Sequence, residues 1–534
     1  MSRRFLILFI VAFLFSLSDP ATGLEIPAND VVWDGNRAAP FDNHQQVRDN
    51  MVFDGVNLTI RAGTFVYHNQ SLTSENEEFE GDPSGPFYLL FINGASLAIE
   101  GSEDQQVIFG RPEEGRDDPR SCSVYIHVES IGNMREVSDV GISHTQFWYG
   151  STLFRSNPNT DPQLIEDFLG IEWNPEEPLD HFAHNTVDQN IFINVNRRRS
   201  RTPLFEKCYF HRIKLILRGE GRGDENLPDL LNNEFSSRQG GVAEYSPEYY
   251  SIALGSSFPD APQPAQGFVI KGCEFYNSFE HELCNQMLQV SVDYVEGNPN
   301  VILDCYFHHA HESLVHVYSG HNIFRNCDFE HTSDACLKQV FRGGDNDEIR
   351  ALMEVYNCRF NYYGDHAVYQ DADGRDNFDL IMKNCIVTGN NGVGFMNNEE
   401  QVFASRDGSI TLRGNSIVEN CTVYHNRQYG RREGMDVDRT AGIYVANSEY
   451  DFNVAIRNCI IYDNDIGVTY EVEPELENAL EYCILNGNDF QTEGWENWNA
   501  EELHNSDSDP LFVDAENGDI PLLYNSPCIN QGYS

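Results

Sequence analysis

The chain has 534 residues, with 84 acidic residues against 35 Lys and Arg and a formal net charge of −49. So large an acidic excess argues against nucleic acid as a partner and against adsorption to anionic membranes. Hydrophobic residues make up 40% of the chain and aromatic residues 12%, which is enough for a sizeable core and is untypical of a disordered protein.

The N-terminal segment has the pattern of a secretory signal peptide. Arg3 and Arg4 precede an apolar run over residues 5–15, and small residues end the segment. The run is too short for a membrane span, and the absence of a cysteine at the expected cleavage point argues against a lipoprotein anchor. We expect residues 1–23 to be removed and residues 24–534 to be secreted or held at the cell surface. No later segment is apolar enough to cross a bilayer.

A short phrase built around a cysteine recurs through the middle of the chain. It consists of a cysteine, any residue, and then Phe, Val, Ile or Leu, often with Asn before the cysteine. Nine of the 13 cysteines have this context: Cys208, Cys273, Cys305, Cys327, Cys358, Cys385, Cys421, Cys459 and Cys483. If Asn233 fills the cysteine slot of one more copy, the spacings run from 22 to 40 residues. Periods of this size are typical of stacked supersecondary units.

A second phrase follows most copies about nine residues later. Each example is a short run of alternating apolar and polar residues, and most begin at or beside a Gly or Asp, as at 312–318, 334–340, 365–371, 441–447 and 466–472. Such runs predict short strands separated by turns, and they lack the periodicity of helix pairs. Several units are too short for the four strands of a propeller blade. Parallel strands stacked about 4.8 Å apart fit the pattern best.

These repeats resemble the right-handed parallel β-helix of the pectate-lyase-like superfamily. The early segments "MVFDGVNLTIRAGTFVYH" and "YLLFINGASLAIEGSEDQQVIFG" are similar to the first coils of secreted bacterial β-helix proteins. Near the C-terminus, "DPLFVDAENGDIPLLYNSPCINQG" resembles the last coil of the bacterial family often called choice-of-anchor Q, in which a sorting or anchoring tail usually follows.

The resemblance implies an all-β fold, a single-stranded right-handed parallel β-helix of about 10–12 coils with long loop insertions. We expect one domain over residues 24–534, and we expect it to be a monomer. The first coils would lie at 45–150, the coils with the cysteine ladder at 205–490, and the closing coil at 507–532.

The cysteines are expected to be structural. In the fold that the chain resembles, each would point into the core and stack on the next as a small buried hydrophobe. The preceding asparagines would form a ladder at a turn: Asn326, Asn357, Asn384, Asn420 and Asn458. The chain has no C-x-x-C pair of the kind that binds zinc, and in-register strands rarely suit a disulfide. We therefore predict buried free thiols and leave open the disulfide state of the four cysteines outside the row: Cys122, Cys284, Cys336 and Cys528.

Enzymes of this superfamily work in a groove along one face of the coil, and its lyases pair a base with a cation that neutralises the uronate carboxylate. Alternation in the second phrase points these residues outward: His316, Lys338, Tyr369, Tyr444 and Thr469. For β-elimination of a uronate glycan we predict Lys338 or His316 as base and Tyr369 as acid. Arg342 would neutralise the carboxylate. The alternative is a polar outer face without chemistry.

Further candidate residues would bind substrate or metal. Tyr318 and Tyr444 lie on the predicted outer face. Two basic clusters fall in predicted loops, where they could hold a carboxylated or sulfated glycan or pair with nearby acids. The first contains Arg197, Arg198 and Arg199, and the second contains Arg431 and Arg432. The segment "DADGRDN" at 371–377 offers calcium three carboxylates: Asp371, Asp373 and Asp376. Its glycine is in the fourth place and not the sixth, so it is not an EF-hand loop, and an ordinary acidic turn is the alternative.

Together these features predict a secreted β-helix protein that acts on or binds extracellular polysaccharide. If it is an enzyme, β-elimination of a uronate glycan is the predicted chemistry. The alternative is a non-catalytic surface or matrix protein that binds glycan or a protein partner.

Overall fold

The computed structural model describes most of the predicted strands and the turns between them. The described residues are 24–25, 27–33, 44–46, 50–67, 87–92, 97–102, 104–109, 124–129, 141–143, 145–147, 152–157, 190–194, 205–206, 209–211, 214–218, 230–231, 234–237, 250–255, 269–277, 286–291, 294, 297, 299–310, 313–332, 334–340, 350–371, 378–389, 393–396, 399–402, 408–427, 440–446, 453–472, 480–514 and 519–529.

The chain divides into two compact units, Met1–Ala243 and Glu244–Ser534. In each unit, short parallel strands build three sheets, which we call sheet 1, sheet 2 and sheet 3 in the order in which the chain visits them. One circuit of the chain, a coil, adds one strand, or rung, to each sheet.

The strands of the first unit are as follows. Sheet 1 contains Leu24–Glu25, Asn50–Asp54, Phe87–Ile92, Val124–Glu129, Thr152–Asn157, Asn190–Asn194 and Lys214–Arg218. Sheet 2 contains Val31–Trp33, Leu58–Arg61, Leu97–Glu100, Gly141–Ser143, Phe205–Glu206 and Leu230–Leu231. Sheet 3 contains His44–Gln46, Phe65–Tyr67, Val107–Phe109, Thr145–Phe147, Tyr209–His211 and Glu234–Ser237.

The second unit repeats the pattern, and its rungs in sheets 2 and 3 are longer on average. Sheet 1 contains Tyr250–Gly255, Gln286–Ser291, Val315–Val317, Leu337–Val340, Val368–Asp371, Gly408–Leu412, Ala441–Val445, Ile466–Tyr470 and Phe490–Glu493. Sheet 2 contains Val269–Lys271, Asn300–Leu303, Gly320–Arg325, Ala351–Tyr356, Phe378–Lys383, Asn415–Glu419, Val454–Arg457 and Leu480–Glu481. Sheet 3 contains Glu274–Asn277, Tyr306–Ala310, Asp328–Thr332, Arg359–Tyr363, Ile386–Thr388, Thr422–Tyr424, Ile460–Tyr462 and Ile484–Asn486.

The described residues of the second unit also form two antiparallel hairpins and one short helix. Val393–Met396 pairs with Glu399–Val402, and Phe512–Asp514 pairs with Asp519–Leu522. A 3-10 helix covers Glu501–Leu503. Among the described residues, no helix has the length and apolar character that a membrane span requires.

The predicted all-β parallel coil is confirmed. The described strands of sheets 2 and 3 number six in the first unit and eight in the second, which is more than the 10–12 coils expected. The expected number followed the cysteine phrase, and most coils of the first unit carry no copy of it. The assignment of residues 24–534 to one domain stays a prediction.

The corner between sheet 2 and sheet 3 bends through one residue in the left-handed conformation, where asparagine is tolerated better than most side chains. The five predicted ladder asparagines all have φ between 53° and 56°. Asn357 Nδ2 donates to Asn326 Oδ1 at 3.2 Å, and Asn326 Nδ2 donates to Asp304 Oδ1 at 3.0 Å. The structure therefore confirms a polar ladder at this corner.

The cysteine that follows each of these corner residues points into the core. The eight described members of the row, from Cys273 to Cys483, are at most 2% exposed and form no disulfide. Cys336 is also buried and free, and Cys528 is free and half-buried. Burial raises the pKa of the Cys336 thiol well above its ordinary value, so it stays protonated. The predicted buried free thiols are confirmed here; three cysteines lie outside the described residues: Cys122, Cys208 and Cys284.

Two further columns, each a set of like side chains stacked on successive rungs, lie inside the second unit. Phe275, Phe307, Phe329 and Phe360 stack face to face, with ring centroids 4.5–5.1 Å apart. At the corner after sheet 3, a second asparagine ladder is fully inside the coil: Asn426 Nδ2 donates to Asn464 Oδ1, and Asn464 Nδ2 donates to Asn488 Oδ1, both at 2.9 Å. These three residues each follow a row cysteine by five positions, a signal that sequence analysis overlooked.

We predict that two substitutions of Asn326 distinguish the contribution of backbone conformation to stability from that of the side-chain hydrogen bonds. Asn326→Ala and Asn326→Gly both remove the ladder hydrogen bonds, but only alanine has to bear the steric cost of the left-handed conformation. We therefore expect the alanine variant to be less stable than the glycine variant by roughly 1 kcal/mol. Urea unfolding of the two variants measures this difference, and equal stabilities would contradict the account.

We also predict that thiol titration distinguishes the buried row from disulfides. The nine buried cysteines should resist a charged thiol reagent in the native protein and all react after unfolding without reductant. Reaction of fewer than nine additional thiols on unfolding would show that some of these buried cysteines are oxidised.

Candidate functional site

One outward position of sheet 1 forms a continuous row in the second unit. Backbone register pairs Gln289 with His316, His316 with Lys338, Lys338 with Tyr369, and Tyr369 with Thr411. Beyond Thr411, the row continues to Tyr444 and Thr469. The strand that carries Thr411, "GSITL", has the alternation of the second phrase but was not recognised as a copy of it in the sequence. The structure therefore inserts a rung between Tyr369 and Tyr444.

Exposure differs sharply along this row. Gln289, His316 and Thr411 are 2%, 6% and 0% exposed although their backbone positions face outward. Lys338 and Tyr369 remain half-buried. The accessible part of this stretch is therefore centred on Lys338 and Tyr369.

Lys338 is held in place by the corner that precedes its strand. Its Nζ lies 3.3 Å from Asp334 Oδ2, and Ser313 Oγ donates to the same oxygen at 2.5 Å. The Lys338 side chain is 25% exposed and that of Asp334 is 29% exposed. Solvent screens such a pair, so its contribution to stability is about 1 kcal/mol or less. Its main effect is to fix where the ammonium group lies.

Tyr369 stands between two cations. Lys338 Nζ lies 5.3 Å from the centre of its ring and Arg413 Cζ lies 5.6 Å from it, both within the usual range of a cation–π contact. The phenol donates a hydrogen bond to Asp371 Oδ2 at 3.3 Å. Arg413 follows the strand Gly408–Leu412, so the two cations come from the rungs on either side of Tyr369. Arg413 was not among the residues predicted from sequence, because its rung was missed.

A buried histidine lies behind the same tyrosine. The His366 ring is 4.7 Å from the Tyr369 ring, and the residue is 4% exposed. Its Nδ1 lies 2.7 Å from the Gly408 carbonyl oxygen and its Nε2 lies 3.1 Å from Asp365 Oδ2. Burial alone lowers the pKa of His366, but Asp365 and the Gly408 carbonyl outweigh this effect, and the pKa is raised above its ordinary value.

The other predicted base, His316, and the two tyrosines predicted to bind substrate are buried or already hydrogen-bonded within the protein. His316 Nδ1 lies 2.8 Å from Tyr318 Oη, and both residues are buried. Tyr444 donates its hydroxyl hydrogen bond to Glu471. These positions leave Lys338 as the more accessible of the two predicted bases.

Several predicted site residues lie outside the described part of the chain, so their roles stay predictions: Arg197, Arg198, Arg199, Arg342, Arg431, Arg432, Asp373 and Asp376. Arg427, which begins the segment "RQYGRR" that contains Arg431 and Arg432, pairs with Asp463 at 2.6 Å and Asp489 at 3.3 Å, as the salt-bridge alternative expects. Among the described residues, no group of three or more His, Cys, Asp or Glu is placed to hold a metal ion. Calcium binding at 371–377 stays a prediction.

Comparison with known families supports the fold. Residues 353–506 match a family model described as a right handed beta helix region. A search of curated proteins found no match. The match includes the strands that carry Tyr369 and Thr411. The chain thus contains a right-handed parallel β-helix, a fold that suits proteins acting on or binding polysaccharides in general but does not by itself define an activity.

We predict a small coupling between Asp334 and Lys338. In a double-mutant cycle with Asp334→Asn and Lys338→Met, urea unfolding should give a coupling free energy of about 0.2–1 kcal/mol, because both groups are partly solvated. A coupling several times larger would contradict the half-exposed placement of the pair.

Proposed function

We propose that this protein is secreted, binds an acidic uronate polysaccharide on the outer face of sheet 1 in the second unit, and cleaves it by β-elimination. The placement of Lys338 and Arg413 on the rungs that flank Tyr369 carries the proposal. In a chain with a net charge of −49, two cations beside one outward aromatic ring are the groups at this site that would bind carboxylates, in competition with Asp334 and Asp371.

The outward row runs along the coil axis, and this direction favours a polymer as the ligand. Successive rungs are about 4.8 Å apart, so the rungs of Lys338 and Arg413 are separated by roughly 10 Å along the coil axis. A glycan chain laid along this axis would cross the three rungs in turn. Its carboxylates could then meet a cation on each side of Tyr369.

The same residues supply the groups that β-elimination needs. A base removes the proton from the carbon next to the carboxylate, and the electron pair forms a carbon–carbon double bond. The glycosidic C–O bond breaks, and an acid gives its proton to the leaving oxygen. We assign Lys338 as base and Tyr369 as acid. Arg413 would stabilise the negative charge that develops on the carboxylate.

A second candidate is glycan binding without cleavage. It is favoured by the contact between Lys338 Nζ and Asp334, because an ammonium group that donates to a carboxylate has no free lone pair and would have to lose its proton before acting as a base. Both candidates use the same face of the protein, and activity measurements separate them.

We predict that polyuronate incubated with the protein gains the ultraviolet absorbance of new unsaturated ends. Lys338→Gln and Tyr369→Phe should each lower the rate by about 10²-fold or more, the usual contribution of a general base or acid. Lys383→Gln and Tyr356→Phe, which alter the outer face of sheet 2, are matched controls and should keep the wild-type rate. Parallel assays with calcium and with chelator test the predicted calcium dependence.

The outcomes distinguish the two candidates. Retention of the wild-type protein on an affinity gel of polyuronate, without any new absorbance, would reject β-elimination and leave glycan binding. Neither absorbance nor retention on any uronate glycan would reject both.

A further inference from the structure

We propose that His366 is a positioning residue for this face: a buried imidazolium that supports Tyr369 from behind and adds a third positive charge to the glycan site. The inference rests on the proposed function, because it assigns His366 an effect on acidic glycan through Tyr369 and not by contact with the glycan.

The hydrogen bonds of His366 require both ring nitrogens to donate. Nδ1 faces the Gly408 carbonyl oxygen at 2.7 Å, and a carbonyl oxygen can only accept. Nε2 faces the Asp365 carboxylate at 3.1 Å, which also accepts when ionised. Neutral imidazole has one N–H, so only the protonated ring satisfies both contacts. Thr411 Oγ1, 3.2 Å from Nδ1, is a hydroxyl that can orient its lone pair toward that N–H.

The position of His366 connects two rungs of the site. Its ring packs at 4.7 Å against Tyr369, and its hydrogen-bond partner Gly408 begins the next strand, which leads to Arg413. A glycine is required there, since a Cβ on Gly408 would lie 2.7 Å from the Tyr444 Cβ. His366 thus ties the rung of Tyr369 to the rung that carries the second cation.

The charged groups around His366 determine how it responds to pH. Asp365 lies beside it in the same turn, and Asp334 on the preceding coil also favours its charged form. Lys338, Arg413 and Asp371 each contact Tyr369, whose ring packs against His366. The acids outweigh burial, so the pKa is raised: the charge is fully present at lower pH and is lost as the pH rises through that value.

This charge is poised to affect ligand binding because it is shielded from solvent. A cation buried behind a half-buried ring is screened less by salt than one on an open surface. When His366 is protonated, three cations lie around Tyr369. When His366 is neutral, only Lys338 and Arg413 remain, and His366 loses one of the two hydrogen bonds that hold its ring against Tyr369. Affinity for an anionic glycan should therefore fall when His366 loses its proton.

The test is the pH dependence of binding to a purified uronate oligosaccharide, measured by calorimetry from mildly acidic to alkaline pH. We expect wild-type affinity to fall about fivefold as His366 loses its charge, the effect of one unit charge near a surface site. His366→Gln should bind about fivefold more weakly than wild type at low pH and show no such fall. The matched control His425→Gln removes a histidine paired with Asp463 at 2.6 Å and should keep the wild-type profile.

A second variant keeps the test decisive if His366→Gln does not fold. Asp365→Asn removes the carboxylate that favours the charged ring, so the fall in affinity should move to lower pH. If wild type binds and both folded variants retain its pH profile, the role of His366 is overturned while the proposed function stands. If wild type binds no uronate oligosaccharide at any pH, the proposed function fails, and this inference with it.

Discussion

In-register hydrogen bonding between parallel rungs is the constraint on which the rest of this structure depends. Each strand lies about 4.8 Å from the next with the same residues opposite one another. A position in the coil therefore becomes a column, and the side chain at that position contacts its own counterparts above and below. The side chains of a column made of like residues must therefore be able to pack against copies of themselves or to form hydrogen bonds with them.

The columns of the second unit show three ways of meeting this requirement. Cysteine and phenylalanine columns do so by burying apolar groups that pack against copies of themselves. Asparagine columns do so because an amide both donates and accepts, so one Asn can bond the next without end. A column of like charges would repel itself. The outward row of sheet 1 instead alternates its chemistry, with Lys338, Tyr369 and Thr411 in succession, and the acid–base site proposed here depends on that alternation.

The same constraint explains which features could be predicted from sequence. The cysteine and asparagine columns recur with a visible period, so the fold, the buried thiols and the ladder at the first corner follow from the sequence. The row of His316, Lys338 and Tyr369 also follows, because its strands share one phrase. Arg413 and His366 do not: the strand before Arg413 was not recognised as a copy of the phrase, and the position of His366 within its own copy does not indicate a contact with Tyr369. Their relevance comes from their contacts with the Tyr369 ring.

The central claim is that carboxylates bind beside Tyr369 between Lys338 and Arg413. A crystal structure of the protein with a uronate oligosaccharide tests it most directly. The account predicts a carboxylate within hydrogen-bonding distance of Lys338 Nζ or the Arg413 guanidinium, with the glycan running across successive rungs of sheet 1. A glycan bound on sheet 2 or sheet 3, with this face empty, would contradict it.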